Sequence, residues 1–403
     1  MNVIGVVGEY NPFHNGHMLH FEESRELVGE DSAIITVMSG NFVQRGENAV
    51  FRKQARAEAA VKCGADLVIE LPVPWALSSA EGFARGAVGL LGSLGVVTHL
   101  SFGSESGDIS LIQKTAEALM DHTVDRKIKD LVKAQPDISY AAARQKVLET
   151  ESEELSKILE KPNNILAVEY IKAIMDQRLK IEPVTTLRSG PGHDSVAGFG
   201  GLRSASELRD MLSAGQRIEK CVPDAAYEVF QKEILQCRGP VTRDDLETAV
   251  LSRLRMLKKD SFAALQDNSG GAGDRLYTAV RTEPTLNMVL ASAKTKRYAM
   301  SRLRRMAMSA ALGLSAEDAV DTPPYARVLA IGPQGRTLLR EMRQHSRIPI
   351  ITKPADVKNL DDRCNFIFNK ESDADDLYVL GFPAKNERRG GSIWRSSPYL
   401  WNN

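Results

Sequence analysis

Residues 8–17 read Gly-Glu-Tyr-Asn-Pro-Phe-His-Asn-Gly-His, and they connect a short apolar run, 2–7, to a helix-like segment, 18–27. The order is therefore strand, glycine-containing turn and helix. The N-terminus of a helix carries unpaired N–H groups and a partial positive charge, and both favour a bound phosphate group. The segment predicts a phosphate-binding site at the end of the first strand.

Two histidines in this segment can add hydrogen-bond donors to such a site. His14 and His17 are three positions apart, so both can lie on one side of the first helical turn. Their imidazole N–H groups could stabilise negative charge that develops on a phosphoryl group, and Gly16 would let the backbone approach the ligand. The alternatives are ordinary surface histidines or a zinc site. A metalloprotease helix requires His-Glu-x-x-His, so we predict a nucleoside triphosphate site and no metal site.

The composition is that of a globular protein without a strong charge bias. Of the 403 residues, 43% are apolar and 26% are charged, which suits two or three domains. The formal net charge is zero, so any contact with nucleic acid must come from a local basic patch. The four cysteines show no disulfide or metal spacing, and no segment resembles a signal peptide or a membrane span. We expect a cytoplasmic protein without membrane contact.

The first half of the chain alternates apolar, strand-like segments with amphipathic helical ones. The strand-like segments are 2–7, 33–38, 66–71, 96–102 and 181–187. This alternation predicts a Rossmann-like α/β fold, a doubly wound parallel sheet with both faces covered. Ligands of such sheets bind beyond the carboxyl ends of the strands. Those ends are the histidine turn, Ser39, 72–78 and Gly103.

The same pattern divides the chain into two regions. We expect an ATP-binding catalytic domain at 1–215, with a polar helical insertion at 108–157. Within it, Lys161-Pro162-Asn163-Asn164 should open a helix with asparagine as the cap. Residues 216–403 should form a mainly helical region. The apolar run at 327–332 indicates a small mixed unit near its end.

A second motif, at 204–209, reads Ser-Ala-Ser-Glu-Leu-Arg and has the form of a helix start. Taken alone, it could be an ordinary capped helix. Together with the His-x-Gly-His turn, it resembles the signatures of the nucleotidylyltransferase superfamily, whose second motif is Ile-Ser-Ser-Thr-x-x-Arg. Ala205 departs from that motif because it lacks a hydroxyl group. The resemblance implies that two helix N-termini and an arginine hold the triphosphate, while the histidines favour loss of pyrophosphate.

Longer blocks resemble a narrower group, the bacterial tRNA(Met) cytidine acetate ligase family. Besides 8–17, they are Met-Ser-Gly-Asn-Phe-Val-Gln-Arg-Gly-Glu at 38–47, Gly-Ala-Asp-Leu-Val-Ile-Glu-Leu-Pro at 64–72, Ser-Phe-Gly-Ser-Glu at 101–105 and Lys-Pro-Asn-Asn-Ile-Leu at 161–166. The resemblance implies an ATP-dependent ligase that activates acetate as acetyl-adenylate and releases pyrophosphate. The acetyl group would then pass to the wobble cytidine of elongator tRNA(Met), giving N4-acetylcytidine.

The resemblance also implies an ATP site. In it, His14 and His17 stabilise the leaving pyrophosphate, with Arg188 and Arg209 as charge partners. Mg²⁺ should bridge the phosphates, although no acidic cluster indicates a protein cage for it. Asn163 and Asn164 match equally well as ATP contacts. The expected ATP-binding residues are Val7, Gly8, Glu9, Tyr10, Asn11, Pro12, Phe13, His14, Asn15, Gly16, His17, Met18, Leu19, His20, Gly103, Asn163, Asn164, Arg188, Ser189, Ser204 and Ser206.

The loop after the second strand lies at the predicted ligand edge. We expect its polar residues to bind acetate and to read the edge of the incoming cytosine. Phe42 could stack on that base or lie in the core. The polar residues are Ser39, Gly40, Asn41, Gln44 and Glu47.

Basic residues predict two surfaces for the tRNA backbone. No acidic residue occurs between Glu283 and Glu317, and on a helix positions 294, 297, 302 and 305 would form a cationic stripe. A solvated charged face is the ordinary alternative. The predicted contacts are Lys294, Lys296, Arg297, Arg302, Arg304 and Arg305 in the stripe, and Arg45, Arg52, Lys53 and Arg56 nearer the site.

Two other functions fit parts of the sequence. A nucleotidylyltransferase could attach AMP to a phosphorylated small molecule in coenzyme biosynthesis, but it would have little use for a long cationic region. A catalytically silent RNA-binding protein could retain the fold, but the intact pair of His14 and His17 argues against it. The oligomeric state, the choice of one tRNA and the base that deprotonates cytidine stay open.

Overall fold

The computed structural model describes residues 1–135, 137–188 and 203–401, and a β-sheet forms the centre of this part of the chain. In chain order the strands are β1 (Val3–Gly8), β2 (Ala33–Ser39), β3 (Phe42–Val43), β4 (Glu47–Asn48), β5 (Leu67–Leu71), β6 (His99–Ser104), β7 (Glu182–Leu187), β8 (Ala326–Ile331), β9 (Ile350–Ile351) and β10 (Tyr399–Leu400). All but β3 and β4 belong to one sheet, and those two form a separate antiparallel hairpin.

The central sheet has the order β10-β8-β5-β2-β1-β6-β7, with β9 paired to β8. The five strands from β5 to β7 run parallel to their neighbours. The order of strands along the chain reverses beside β1, which lies between β2 and β6. The predicted doubly wound sheet is therefore confirmed. Open sheets of this type bind ligands at the reversal, beyond the carboxyl ends of the strands.

Helices cover both faces of the sheet and make up most of the C-terminal half. They are α1 (Asn15–Val28), α2 (Lys53–Lys62), α3 (Val73–Ala76), α4 (Ala80–Ser93), α5 (Ile109–Met120), α6 (His122–Ala134), α7 (Tyr140–Glu151), α8 (Glu153–Ile158), α9 (Pro162–Asp176), α10 (Ala205–Ser213), α11 (Asp224–Leu235), α12 (Arg243–Met256), α13 (Lys259–Ala263), α14 (Ala272–Thr282), α15 (Leu286–Ala293), α16 (Met300–Ala311), α17 (Gly335–His345) and α18 (Asp362–Tyr378). No described helix combines the length and hydropathy needed to cross a bilayer.

Each central strand is buried on both faces, which explains its nearly continuous apolar sequence. In β2, Ile35 and Val37 join a core that includes α4 and α9. The alternate residues Ile34 and Met38 join a second core that includes α1 and α2. A third core lies mainly among α12 to α16 and the end of α18. The first two cores fix the sheet, and the third builds the helical half.

The C-terminal mixed unit is not separate from the central sheet. β8 pairs with β5 in the antiparallel sense, with Glu70 opposite Arg327, and β9 and β10 extend the sheet beyond it. The apolar run near 327–332 does form a strand, as its sequence indicates. Its partner lies 257 residues away, and local sequence does not specify so distant a pairing. A boundary near residue 215 therefore does not divide the sheet from the C-terminal region.

Candidate functional site

The turn after β1 is held in place by contacts from distant parts of the chain. Asn11 Oδ1 accepts the N–H of Val50 at 2.8 Å, and the Asn11 carbonyl accepts a bond from Arg209 Nη1 at 2.9 Å. The buried Arg56 donates to the carbonyl of Glu9. These bonds fix the backbone immediately before α1.

His14 and His17 form a reciprocal cap at the start of α1. His14 Nδ1 accepts the N–H of Gly16 at 3.1 Å, and His17 Nδ1 accepts the N–H of His14 at 3.2 Å. Their rings stack with centroids 3.8 Å apart. Because both δ nitrogens act as acceptors, each neutral ring carries its proton on Nε2. The pair therefore offers two Nε2–H donors beside a helix N-terminus.

Burial keeps these imidazoles uncharged. It lowers the pKa of His14 to about 3, and Arg188 acts in the same direction. The pKa of His17 lies well below its ordinary value because of burial, the neighbouring His14 and Arg188. His20 lies with its Nδ1 3.0 Å from Thr186 Oγ1, and burial lowers its pKa to about 4. At neutral pH the site thus supplies imidazole N–H groups, while positive charge comes from Arg188.

A cavity of about 680 Å³ opens beside the histidines. It lies at the carboxyl ends of β1, β6 and β7 and at the N-termini of α1, α9 and α10, where the strand order reverses. Its volume falls within the range of about 300–1,000 Å³ that is usual for ligand pockets. The predicted residues that line it are Val7, Gly8, Glu9, Tyr10, His14, Gly16, His17, Leu19, His20, Gln44, Arg45, Gly103, Asn163, Arg188, Ser204 and Arg304.

Other residues of the expected ATP set do not line this cavity. Phe13 is fully buried and packs against Tyr10 and Phe21, so it supports the turn from behind. A tight turn cannot direct every side chain toward one ligand. The matching block of sequence does not show which of its side chains face the cavity. Ser189 lies outside the described residues. The described residues that do not line the cavity are Asn11, Pro12, Phe13, Asn15, Met18, Asn164 and Ser206.

The two neighbouring asparagines of α9 have different surroundings. Asn163 faces the cavity, where its Oδ1 accepts a bond from Arg188 Nη1 at 2.7 Å. Asn164 is buried, and its Oδ1 accepts the N–H groups of Glu105 and Ser106. The structure therefore separates two residues that the sequence left equivalent.

Glu105, rather than an asparagine, caps α9. Its carboxylate oxygens accept the N–H groups of Asn163 at 3.3 Å and Asn164 at 2.8 Å. The prediction that an asparagine caps α9 was wrong. Lys161 occupies the cap position but its side chain makes no cap bond, and the acceptor is the Glu105 carboxylate at the end of β6. A carboxylate also complements the positive end of the helix. Glu105 lies within a matching block, but nothing in its sequence context indicated this role.

The second motif forms a capped helix start, as expected. Ser204 Oγ accepts the N–H of Glu207 at 3.3 Å, and Glu207 accepts the N–H of Ser204 at 2.8 Å. Ser204 lines the cavity, whereas Ser206 does not. Arg209 lies outside the cavity wall and donates to the Asn11 carbonyl. Its guanidinium therefore holds the histidine turn, its charge acts on Glu9 in the cavity wall, and its role as a charge partner of the phosphates stays a prediction.

Only part of the loop after β2 reaches the cavity. Gln44 and Arg45 line it, and Gln44 N–H donates to Glu9 Oε1 at 2.7 Å. Phe42 is 1% exposed and packs in the third core, so stacking on a base was the wrong alternative. Glu47 pairs with Arg243 and Arg304, and its carboxylate is therefore occupied.

The remaining polar residues of that loop serve the interior. Ser39 is fully buried, and the carbonyls of Ser39 and Gly40 accept bonds from Arg56. Asn41 is 5% exposed, donates to Asp375 at 2.9 Å and accepts the N–H of Lys53 at 2.7 Å. These contacts correct the prediction that Ser39, Gly40 and Asn41 face acetate or cytosine.

Lys53 lies in a buried ion network and not on a surface for RNA. Its Nζ lies 2.5 Å from Glu70, 2.8 Å from Asp375 and 3.6 Å from Glu371, and it has no solvent exposure. Arg327 completes the network through Glu70 at 2.8 Å. Burial raises the pKa of Glu371 well above its ordinary value, and the neighbouring Glu70 adds to the effect. The network joins α2 and β5 to α18 and β8 at the carboxyl edge.

The predicted cationic stripe is not one helical face. α15 ends at Ala293 and α16 begins at Met300, so residues 294–299 interrupt it. Arg305 pairs with Asp267, and Arg302 donates to carbonyls of the 267–269 turn. Arg304 faces the main cavity while pairing with Glu47. Lys294 and Lys296 stay exposed, and Arg297 is partly exposed. Arg52, of the second predicted surface, pairs with Glu233 at 2.7 Å.

The acidic groups that line the cavity are Glu9 and Glu23. Among the described residues there is no group of three or more histidine, cysteine, aspartate or glutamate side chains that could hold a metal ion. The cavity therefore provides imidazoles, amides and guanidinium groups, a set suited to anionic oxygen atoms.

Comparison with known proteins finds similarity along almost the whole chain. A family model described as HIGH Nucleotidyl Transferase matches residues 1–392. The tRNA(Met) cytidine acetate ligase of Acetivibrio thermocellus is 34% identical, over 97% of this chain and 98% of that protein. The ligase of the same name from Thermoanaerobacter sp. is 37% identical, over 95% and 96% of the two chains. A crystal structure of Thermotoga maritima TmcAL bound with alpha-thio ATP superposes with a TM-score of 0.91 and 33% identity, over 99% of each chain.

Proposed function

The chain belongs to the tRNA(Met) cytidine acetate ligase family of HIGH nucleotidyl transferases, and we propose that it is an ATP-dependent acetate ligase acting on elongator tRNA(Met). The product is N4-acetylcytidine at the wobble position. One observation carries the proposal: the stacked pair of His14 and His17 presents neutral N–H donors beside a helix N-terminus in a cavity of ligand size. Since the substrate is tRNA, the reaction takes place in the cytoplasm.

ATP occupies the main cavity, with its phosphates against the start of α1. An oxygen of acetate attacks the α-phosphorus, the bond to the bridging oxygen breaks, and pyrophosphate leaves. His14 and His17 donate Nε2–H groups to phosphate oxygens, and Arg188 supplies positive charge from the cavity wall. The protein needs no nucleophile of its own, because acetate provides it. Its contribution is alignment and charge stabilisation.

A Mg²⁺ ion bound with the triphosphate would neutralise part of its charge, and the described residues include no group of histidine, cysteine, aspartate or glutamate side chains that could hold the ion by themselves. It would therefore be held mainly through the substrate. The protein itself acts on the phosphates through the N–H donors of its imidazole and guanidinium groups.

In the second step the cytidine N4 attacks the acetyl carbonyl. The N4–C bond forms, the bond from the acyl carbon to the AMP oxygen breaks, and N4 loses a proton. Glu9 accepts that proton: its Oε1 accepts Gln44 N–H, and its Oε2 makes no hydrogen bond within the described residues. His14 and His17 cannot accept it, because their Nε2 atoms already carry protons.

The surroundings of Glu9 suit a proton acceptor at neutral pH. Burial raises the pKa of Glu9 above its ordinary value, against the opposite influence of Gln44 N–H, Arg209 and Arg56. Glu9 also lies beside Arg45, which is exposed at the mouth of the cavity. An RNA strand that contacts Arg45 through phosphate would therefore bring a splayed-out base toward Glu9.

Purified protein mixed with ATP, acetate and total tRNA tests the proposal. We expect N4-acetylcytidine in elongator tRNA(Met), detected by mass spectrometry of nuclease digests, with one AMP and one pyrophosphate formed per acetyl group. A transferase for phosphorylated small molecules would leave the RNA unmodified. A silent RNA-binding protein would consume no ATP. Either result would refute the proposed function.

A further inference from the structure

A second cavity, of about 400 Å³, lies where α2 and α18 meet the C-terminal segment at 386–396. Four arginines line it: Arg52, Arg238, Arg389 and Arg395. The acidic residue among its lining is Glu387. The formal net charge of the chain is zero, so this excess of guanidinium groups is local to the cavity. It favours an anionic ligand.

Two of these arginines have carboxylate partners, and two do not. Arg52 and Arg238 share the buried carboxylate of Glu233, at 2.7 and 2.6 Å, and Arg238 also lies 3.9 Å from Glu387. The side chain of Arg389 has no partner among the described residues. Arg395 donates to the carbonyl of Gly390 at 2.9 Å, a contact that leaves its charge uncompensated. Both are exposed, so they can bind a ligand from solvent without first breaking an ion pair.

This arginine cavity lies close to the ATP cavity. Asn41 lines the arginine cavity, and Gln44, three residues further along the same loop, lines the ATP cavity. Their α-carbons can be no more than about 11 Å apart. β10 runs parallel to β8, which is antiparallel to β5, so the residues just before β10 lie at the carboxyl edge of the sheet. Both cavities thus open along one edge, on either side of the loop at 39–47.

We propose that the arginine cavity binds a backbone phosphate of the RNA substrate, held by Arg389 and Arg395. The planar guanidinium group matches phosphate with paired N–H donors, and phosphate contacts position RNA without reading its sequence. The inference rests on the proposed function, since it takes tRNA as the substrate. RNA is favoured over a free phosphorylated metabolite because a nucleotide entering the ATP cavity brings its neighbouring phosphates to this edge.

The test is RNA binding by the full chain carrying Arg389→Ala and Arg395→Ala together. Affinity for elongator tRNA(Met) is measured by filter binding at several salt concentrations. We expect at least tenfold weaker binding at low salt, and a plot of log K against log salt whose slope is smaller by about 1 to 2. Arg340→Ala, an exposed arginine on α17 that does not line either cavity, is the matched control and should bind like the wild type.

A second measurement separates this inference from the proposed function. Acetate-dependent exchange of labelled pyrophosphate into ATP should be unchanged in the double variant, because neither arginine lines the ATP cavity. If the wild type shows no exchange, the proposed function fails. If the wild type shows exchange and binds tRNA, but the double variant keeps its affinity and salt slope, the arginine cavity is not an RNA site.

Free anions provide the remaining comparison. Binding of AMP and of inorganic phosphate is measured by calorimetry in both proteins, with the ATP cavity saturated by a non-hydrolysable ATP analogue. Loss of AMP binding in the double variant, with tRNA binding intact, would assign the cavity to a free nucleotide and overturn the RNA assignment. Arg389→Lys with Arg395→Lys keeps the charge and should recover most of the salt slope.

Discussion

Asn164 and Glu105 hold each other through two reciprocal hydrogen bonds. Asn164 N–H donates to Glu105 Oε2, and Glu105 N–H donates to Asn164 Oδ1, both at 2.8 Å. This pair ties the end of β6 to the start of α9. It also leaves the neighbouring Asn163 with its side chain toward the cavity, where it meets Arg188.

The two asparagines should therefore respond differently to substitution. Asn163→Ala should raise the KM for ATP several-fold with little change in stability, because it removes a contact at the cavity wall. Asn164→Ala should lower the free energy of unfolding by about 1–3 kcal/mol, since it leaves buried N–H groups without an acceptor. Urea unfolding and exchange kinetics on both variants check this. Equal effects on KM and stability in both variants would contradict the assignment.

Replacement of either histidine at the start of α1 should abolish acetyl-adenylate formation. His14→Ala also removes the cap of α1, at a cost of about 0.5–2 kcal/mol. His14→Asn retains a side chain that can cap the helix but lacks the imidazole, so it separates folding from chemistry. We expect near wild-type unfolding and no pyrophosphate exchange for His14→Asn. Activity retained in both His14→Asn and His17→Ala would refute the role of the pair.

The desolvation of His14 and His20 makes stability depend on pH. The pKa of His14 is about 3 and that of His20 about 4 in the folded chain, below the unfolded value near 6.5. Between these values the unfolded chain binds more protons, so stability rises with pH. Their contribution is fully present above pH 6.5 and is lost as the pH falls toward 3. Urea unfolding of the wild type and of His20→Asn between pH 4.5 and 7.5 should give a shallower slope for the variant.

Lys53→Met should be severely destabilising, because it leaves buried carboxylates without their partner. A loss of about 3–5 kcal/mol is usual when one member of a buried ion pair is removed. Adding Asp375→Asn should restore part of this loss. Lys62→Met on the same helix, whose pair with Glu58 lies nearer the surface, should cost under about 1 kcal/mol. A small effect of Lys53→Met on stability, with a reduced salt slope for RNA binding, would support the sequence-based surface role instead.

Glu9→Gln should separate the two proposed steps. The amide oxygen can still accept Gln44 N–H, so the loop should keep its position. Acetate-dependent pyrophosphate exchange should persist, whereas acetyl transfer to tRNA should fall by about 10²-fold or more, the usual contribution of a general base. Rapid-quench measurement of both steps checks the difference. Loss of both steps together would assign Glu9 to ATP binding, and full transfer activity would remove it from the mechanism.

The sequence predicted those features that arise from local patterns. Strand β1, the turn and the start of α1 follow directly from the order of apolar, glycine and histidine residues, and so does the position of His14 and His17. The parallel sheet follows from alternation of buried strands and helices. The helix start at 204–209 follows from its own short sequence. Each of these depends on residues that are close in sequence.

The features that the sequence missed depend on distant partners. Lys53 looked like a surface cation, but its partners Glu70 and Asp375 lie on β5 and α18. The bond from Arg209 to a carbonyl 198 positions away was not predicted. Phe42 was ambiguous until the third core placed it inside. A charged or aromatic residue carries no local sign of burial, so these roles required the tertiary structure.

The antiparallel pairing of β8 with β5 has a consequence for biosynthesis. The strand Leu67–Leu71 leaves the ribosome long before Ala326–Ile331, since Glu70 and its partner Arg327 are 257 residues apart. Throughout that interval the nascent chain exposes an open strand edge, which is a template for aggregation. A fragment that stops near residue 215 would keep that edge permanently. The central sheet of this protein is thus completed only when the last quarter of the chain has been translated.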